Sequence, residues 1–217
     1  MSGTPSSAGA GPSPPIGAPT DANALVLATP SSTGGTCPCT REAHDGTATA
    51  ARTGGFLRVA FTRAGRSPPD RWVRDATEGD ADVRVVDATP CPTAGDDRGV
   101  VTVAAAGPSN LTDLGVRITD VLDDMDAAAS RAEGGAGPVC CLGSLTALLQ
   151  YVDTRRAYRF VNAVMTRVAT HGGTTHAHIV PAVHDRQAVD TMASLFDLVA
   201  EPSADGDGLD VVRSRYR

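Results

Sequence analysis

From Asn23 onward the chain alternates short, continuous apolar runs with longer stretches whose apolar residues recur at helical spacing. Asn23 to Ala28 (NALVLA) is the first run, suited to a buried strand, and the turn-rich stretch Thr29 to Thr36 ends it. Phe56 to Thr62 (FLRVAFT) reads as a second strand, followed by a short helix that starts at the Pro68-Pro69 pair and carries Trp72 and Val73. Val83 to Asp87 and Gly99 to Ala105 are two further β-rich runs. Leu114, Ile118, Val121, Leu122 and Met125 then fall on one helix face, and the glycines from Gly134 to Gly137 close that element. Pro138 to Leu142 (PVCCL) is wholly apolar, and the helix after it presents Ala157, Val161, Val164, Met165 and Val168 as a stripe. Thr174 to Val180 (TTHAHIV) returns as a strand. A helix with Ala188, Met192, Leu195 and Phe196 inward follows, then short strands near Leu198 to Glu201 and Leu209 to Arg213.

Strands alternating with helices require right-handed crossovers, so the pattern predicts an α/β fold: a mainly parallel sheet with helices on both faces, without internal repeats. Residues 1–21 are rich in Pro, Ser, Gly and Ala and lack apolar periodicity, so they are read as a disordered tail before one domain over residues 22–217.

Composition narrows the chemistry. All 19 residues counted as Lys or Arg are Arg, which removes every reaction needing a primary amine, Schiff-base catalysis and the P-loop lysine included. The formal charge is −6, with nearly all of the acidic residues Asp, an acidic, salt-tolerant composition of haloarchaeal style. Such a balance keeps a protein soluble and does not suit nucleic acid as a partner. The first stretch has no apolar segment of the signal-peptide kind and no run approaches the roughly 18 apolar residues that span a bilayer, so the expectation is a cytoplasmic protein with no membrane partner. Five cysteines in such a chain point away from a disulfide framework.

Four of the five histidines (His171, His176, His178 and His184) lie in one short segment. His176 and His178 are two apart in a strand and share a face, so His184 or Asp185 beyond the strand would complete a three-ligand set for zinc or another divalent metal. The competing reading is a hydrogen-bonded imidazole in a buried strand, with His171 capping a helix C-terminus. Cys37-Pro38-Cys39, Cys91 and the Cys140-Cys141 pair lack Cys-x-x-Cys spacing, and adjacent strand residues point to opposite faces, so burial as small apolar residues is expected of them. A Cys141–His178 hydrolase has no nucleophile-elbow pattern behind it. Arg213, Arg215 and Arg217 alternate along the last strand and read as a solvated basic edge.

The string Gly143 to Gln150 (GSLTALLQ), after its apolar strand, resembles the second nucleotide-binding motif of the RecA superfamily, in its KaiC-like branch, where such a strand ends in Asp-Ser-Leu-Thr. Phe56 to Arg63 is similar to that branch's second strand, which closes in two glutamates. His176-Ala177-His178, His184-Asp185 and Ser194-Leu195-Phe196-Asp197 resemble a haloarchaeal KaiC-like family without a working P-loop or an assigned activity. The resemblance implies a RecA-like three-layer fold in which the histidine strand lies between the P-loop strand and the Asp-bearing strand. Position by position it also implies a lost ATPase. The loop Thr29-Pro30-Ser31-Ser32-Thr33-Gly34-Gly35-Thr36 keeps glycines and hydroxyls but has no lysine, Gly143 stands where the magnesium-positioning Asp would be, and Thr62 and Arg63 stand where the glutamates would be. The implied function is a non-catalytic regulatory or protein-interaction module that binds a protein partner or itself and needs no cofactor. The alternatives are a ligand- or metal-binding protein or enzyme using His176, His178, His184 and Asp185, or weak nucleotide binding at Ser31, Ser32, Thr33, Gly34, Gly35 and Thr36 without hydrolysis.

Deleting residues 1–21 is expected to leave the melting temperature within about 3 °C of the parent, because a segment without apolar periodicity contributes little burial. A larger fall in a thermal melt would show that the tail docks on the domain.

Overall fold

The structure, a computed structural model, describes residues 22–29, 55–68, 70–78, 81–129, 137–202 and 209–215. The tail, the loop Ser31 to Thr36, Cys37, Cys39 and the last two residues lie outside the described residues. One sheet of nine strands is built from β1 (Ala24–Leu27), β2 (Phe56–Ala60), β3 (Val83–Asp87), β4 (Gly95–Asp97), β5 (Val100–Ala104), β6 (Val139–Ser144), β7 (Thr174–Ile179), β8 (Leu198–Pro202) and β9 (Leu209–Ser214). Their spatial order is β4-β5-β3-β2-β6-β7-β1-β8-β9. Every pairing from β5 across to β8 is parallel, and antiparallel strands close both edges. The helices are α1 (Asp70–Glu78), α2 (Leu111–Ala129), α3 (Leu145–Leu148), α4 (Thr154–Thr170) and α5 (Arg186–Ala193).

Because strand side chains alternate between faces, each central strand feeds two cores. Leu57, Val59, Cys140, Leu142, Ala177, Ile179 and Leu25 enter the larger one, which α2 covers with Leu114, Ile118, Leu122 and Met125, α4 with Ala157, Val161, Val164 and Val168, and α5 with Met192. On the opposite face Phe56, Ala60, Val83, Val85, Val100 and Cys141 meet Trp72 of α1, whose indole stacks on Phe56 at a centroid distance of 4.5 Å. The three layers expected from the strand–helix alternation are therefore present.

Several local expectations are corrected. The helix anticipated after Leu142 is two, α3 and α4, because Asp153 starts α4 afresh by accepting the Arg156 N–H at 2.9 Å. Leu195 and Phe196 are not on the inner side of a helix: α5 stops at Ala193, and Phe196 reaches full burial from the turn beyond it. The Arg213 and Arg215 side chains are not a merely solvated edge either. Their guanidinium groups donate to the carbonyls of Ala193 and Ser194 at the C-terminal end of α5, where the helix leaves carbonyls without intrahelical partners. Asp197 of the Ser-Leu-Phe-Asp string ties the sheet together, accepting from the backbone N–H and the amide of Asn23 at 3.0 and 3.1 Å. Asn23 in turn accepts the Thr175 N–H at 2.9 Å.

Trp72 is 1% exposed and anchors the smaller core. Trp72→Ala is expected to destabilise the fold by about 3–5 kcal/mol, the cost of lost burial plus the cavity left behind. Urea denaturation checks this, and a loss under about 1 kcal/mol would mean that α1 is not integral to the core.

Candidate functional site at the carboxyl ends of the central strands

In an open parallel sheet, ligand chemistry gathers where the strands end and the connections diverge. Strand β7 lies between β1 and β6, so the histidine strand takes the central place expected of it. Ala177 and Ile179 point into the larger core, which sends His176 and His178 to the opposite face with Cys141. In register, Arg58 of β2 lies opposite Cys141 of β6, and Cys141 lies opposite His176 of β7, so these three occupy one row across the sheet. His178 follows one step further, with its Nε2 3.9 Å from the Cys141 Sγ. The Arg58 Nε donates to the Gly65 carbonyl at 2.6 Å, which ties this row to the turn after β2.

The electrostatics of the row oppose charge. Both imidazoles are half-buried by exposed area, but the protein crowds them enough that desolvation lowers the pKa of His176 to about 4 and that of His178 to about 3, with Arg58 and His176 adding repulsion at His178. Burial raises the Cys141 thiol, against a smaller opposing effect of the Arg58 charge. A thiol that resists losing its proton beside an imidazole that resists gaining one stays a neutral pair, the opposite of the thiolate–imidazolium couple used by cysteine nucleophiles. Cys140, on the other face, is fully buried and its thiol is pushed up by desolvation.

The other proposed metal ligands are drawn elsewhere. His184 Nε2 lies 3.1 Å from the Thr146 hydroxyl, and Thr146 Oγ1 also accepts the Val180 N–H at 2.8 Å. Asp185 is the N-cap of α5 and accepts the Ala188 N–H at 2.7 Å. No group of three or more His, Cys, Asp or Glu side chains is placed to hold a metal ion among the described residues. His171 is the C-cap of α4, as its position suggested, with Nε2 3.4 Å from Asp123.

The Gly-Ser-Leu-Thr string shapes the backbone here. Ser144 caps α3 by accepting the Ala147 N–H at 3.2 Å, while Thr146 holds the end of β7. The β6–β7 register shifts between Leu142 and Ser144, and Gly143 sits in that irregularity. A Cβ on Gly143 would lie 2.7 Å from the Val59 carbonyl oxygen of β2, closer than real Cβ atoms approach backbone, so a side chain at this position would force the two strands apart. At the end of β2, Thr62 is occupied as the cap of a short 3-10 turn over Arg63–Arg66, accepting the Gly65 N–H at 3.1 Å.

Sequence reasoning missed Asp87. Its fully buried carboxylate accepts the N–H groups of Thr89 and Thr93 at 3.0 and 2.8 Å and lies 2.8 Å from the Arg66 Nε. Burial pushes this carboxyl up, but the hydrogen bonds from Thr89 and Thr93 outweigh it and lower the pKa. The available signal was an Asp closing the apolar run Val83 to Asp87, a residue type that is not buried without partners. Arg66 stands 21 positions away by the sequence, so only folding shows the pair.

A mainly parallel sheet, helices on both faces and the strand order β2-β6-β7-β1-β8 define a RecA-like α/β protein. The chain belongs to the Family of unknown function (DUF7504), whose model matches residues 20–202. Among solved structures it is similar to the KaiC-like protein PH0186 from hyperthermophilic archaea Pyrococcus horikoshii OT3. The identity is 13%, the TM-score is 0.50, and the match covers 91% of this chain and 81% of that one, a likeness that shows the fold alone. No curated protein matches the sequence.

The histidine row makes a pH prediction. A histidine whose folded pKa is depressed binds protons first in the unfolded chain, so its contribution to stability is whole above about pH 6.5 and shrinks as pH falls toward 4. The melting temperature is expected to drop between pH 7 and pH 5, a window above most carboxylate titration, with a shallower slope in His178→Gln. Equal slopes in parent and variant would remove His178 from this account.

Proposed function

We propose that this protein is a non-catalytic regulatory module on a KaiC-like ATPase fold, which acts by binding a protein partner or another copy of itself. The observation that carries the reading is Gly143: in the motif that the string resembles, this position supplies a carboxylate for magnesium, and here the 2.7 Å approach to the Val59 carbonyl leaves no room for one. Two features support it. Thr62 is committed to capping a turn, and no lysine exists to neutralise a phosphate. Phosphoryl transfer depends on positioning and charge stabilisation, and the side chains that supply both in the resembled motifs have other identities here. A magnesium–nucleotide complex therefore does not fit these residues. Haloarchaeal origin, a cytoplasmic location and a role in regulation belong to the same reading.

Purified protein is expected to release no phosphate from ATP above a no-enzyme blank, and millimolar Mg-ATP is expected to leave its melting temperature unchanged, since a ligand stabilises in proportion to its occupancy. Phosphate release would overturn the reading. A melting-temperature rise without turnover would instead support nucleotide binding at Ser31 to Thr36 without hydrolysis. The alternative of metal binding draws on the shared face of His176 and His178, and a rise in the same melt with added zinc, reversed by chelator, would favour it.

A further inference from the structure

Between the N-terminal ends of α4 and α5 lies an open groove of about 540 Å³, lined by Arg155, Arg159 and Tyr158 on one side and by Gln187, Thr191 and the helix-capping Asp185 on the other. Its arginines are in an electrostatically awkward place. Apart from its N-cap Asp153, the start of α4 contains no acidic residue, and Arg155 and Arg156 lie in the first turn, where the helix dipole favours negative charge, with Arg159 one turn further on. They are also exposed and enter no ion pair, among the described residues, although the chain has 25 acidic residues to offer. Several other arginines find partners, Arg66 with Asp87, Arg84 with Asp82, Arg117 with Asp113 and Arg167 with Asp123, while the exposed Arg63 and Arg74, which do not line the groove, pair with no carboxylate among the described residues.

The geometry points to this groove as a docking surface for an acidic segment of a partner protein. Arg155 and Arg159 are four apart on one helix, so their forks project side by side about 5–6 Å apart at the Cβ atoms, a spacing that successive carboxylates of a peptide can meet. The two capping carboxylates, Asp153 and Asp185, are turned to backbone N–H groups of their own helices and leave the guanidinium groups unpaired. Gln187 and Thr154 offer hydrogen bonds for a peptide backbone along the groove, and Thr191, whose hydroxyl donates to the Gln187 carbonyl at 2.7 Å, keeps acceptor capacity. A nucleic acid suits the site less, because the groove carries one aromatic ring, Tyr158, on which a base could stack. This inference rests on the reading of the protein as an interaction module, but peptide binding and phosphate release are separate measurements and fail separately.

Fluorescence anisotropy with a labelled oligoglutamate peptide tests it, with a labelled oligothymidylate as the competing probe. The parent is expected to bind the peptide with an affinity that falls as salt rises, and Arg155→Gln/Arg159→Gln to bind about tenfold or more weakly. Arg117→Gln, on α2, should bind as the parent does. The double variant should melt no lower than the parent, because it relieves the opposition between the arginines and the helix dipole; this separates lost binding from lost fold. No binding of the peptide, equal binding by parent and double variant, or preference for the oligonucleotide would overturn the proposal.

Discussion

Desolvation of the central parallel strands governs the rest of this structure. Strands β2, β6, β7 and β1 are flanked by other strands on both sides, and their side chains enter a core on one face and crowded surroundings on the other. An ionised group there loses its hydration without full compensation, so the thiols and imidazoles the chain places there stay neutral, and the guanidinium of Arg58, which cannot, takes a backbone carbonyl as partner. That one constraint explains why Cys140 and Cys141 hold their protons, why His176 and His178 resist gaining one, and why Arg58 sends its Nε to the Gly65 carbonyl at the sheet margin. The buried carboxylate at the end of β3 is paired, Asp87 with Arg66.

The polar residues at the strand ends are committed to the backbone. Ser144, Thr62, Asp153 and Asp185 cap helices or turns, Thr146 holds the last residue before the β7 turn, and Asp197 joins β1 to β8 through Asn23. In ATPases of this general architecture such positions are expected to aim side chains at a nucleotide. Here each hydroxyl or carboxylate accepts a backbone N–H of a tight connection. The Gly-Ser-Leu-Thr string thus has a structural role in local folding, capping α3 and holding the end of β7. Among the described residues the arginines at the head of α4 do not share in this economy, since they enter no ion pair.

How far the sequence went differs between fold and site. Apolar or β-rich runs bounded by turn residues mark β1, β2, β3, β5 and β6, because a strand buried on both faces needs near-continuous apolar character, whereas β7 (TTHAHI) is marked by its β-branched and alternating residues. The i, i+3, i+4 stripes located α2 and α4 for the equivalent reason. The edge strand β4, Gly95–Asp97, escaped notice: it is fully exposed and made of residues with low strand propensity, so nothing in its composition marks it. Apolar periodicity assigns Phe196 to a helix, but a turn can bury a ring as well as a helix can, and periodicity does not separate the two.

By itself the sequence determined the α/β class, the absence of lysine chemistry, the shared face of His176 and His178, and the identity of the residues at each motif position, all of which follow from residue type and local spacing. Tertiary structure alone decided which of those residues meet. His184 and Asp185 follow the histidine strand closely in sequence, yet one turns to Thr146 and the other caps α5, because the turn at Pro181–Val183 and the start of the helix fix their directions. Cys141 and His178, 37 positions apart, come within 3.9 Å because β6 and β7 are neighbours in the sheet. Gly143 is a substitution when read along the chain; in the folded protein it is a steric necessity, because β2 passes too close to β6 for any side chain there.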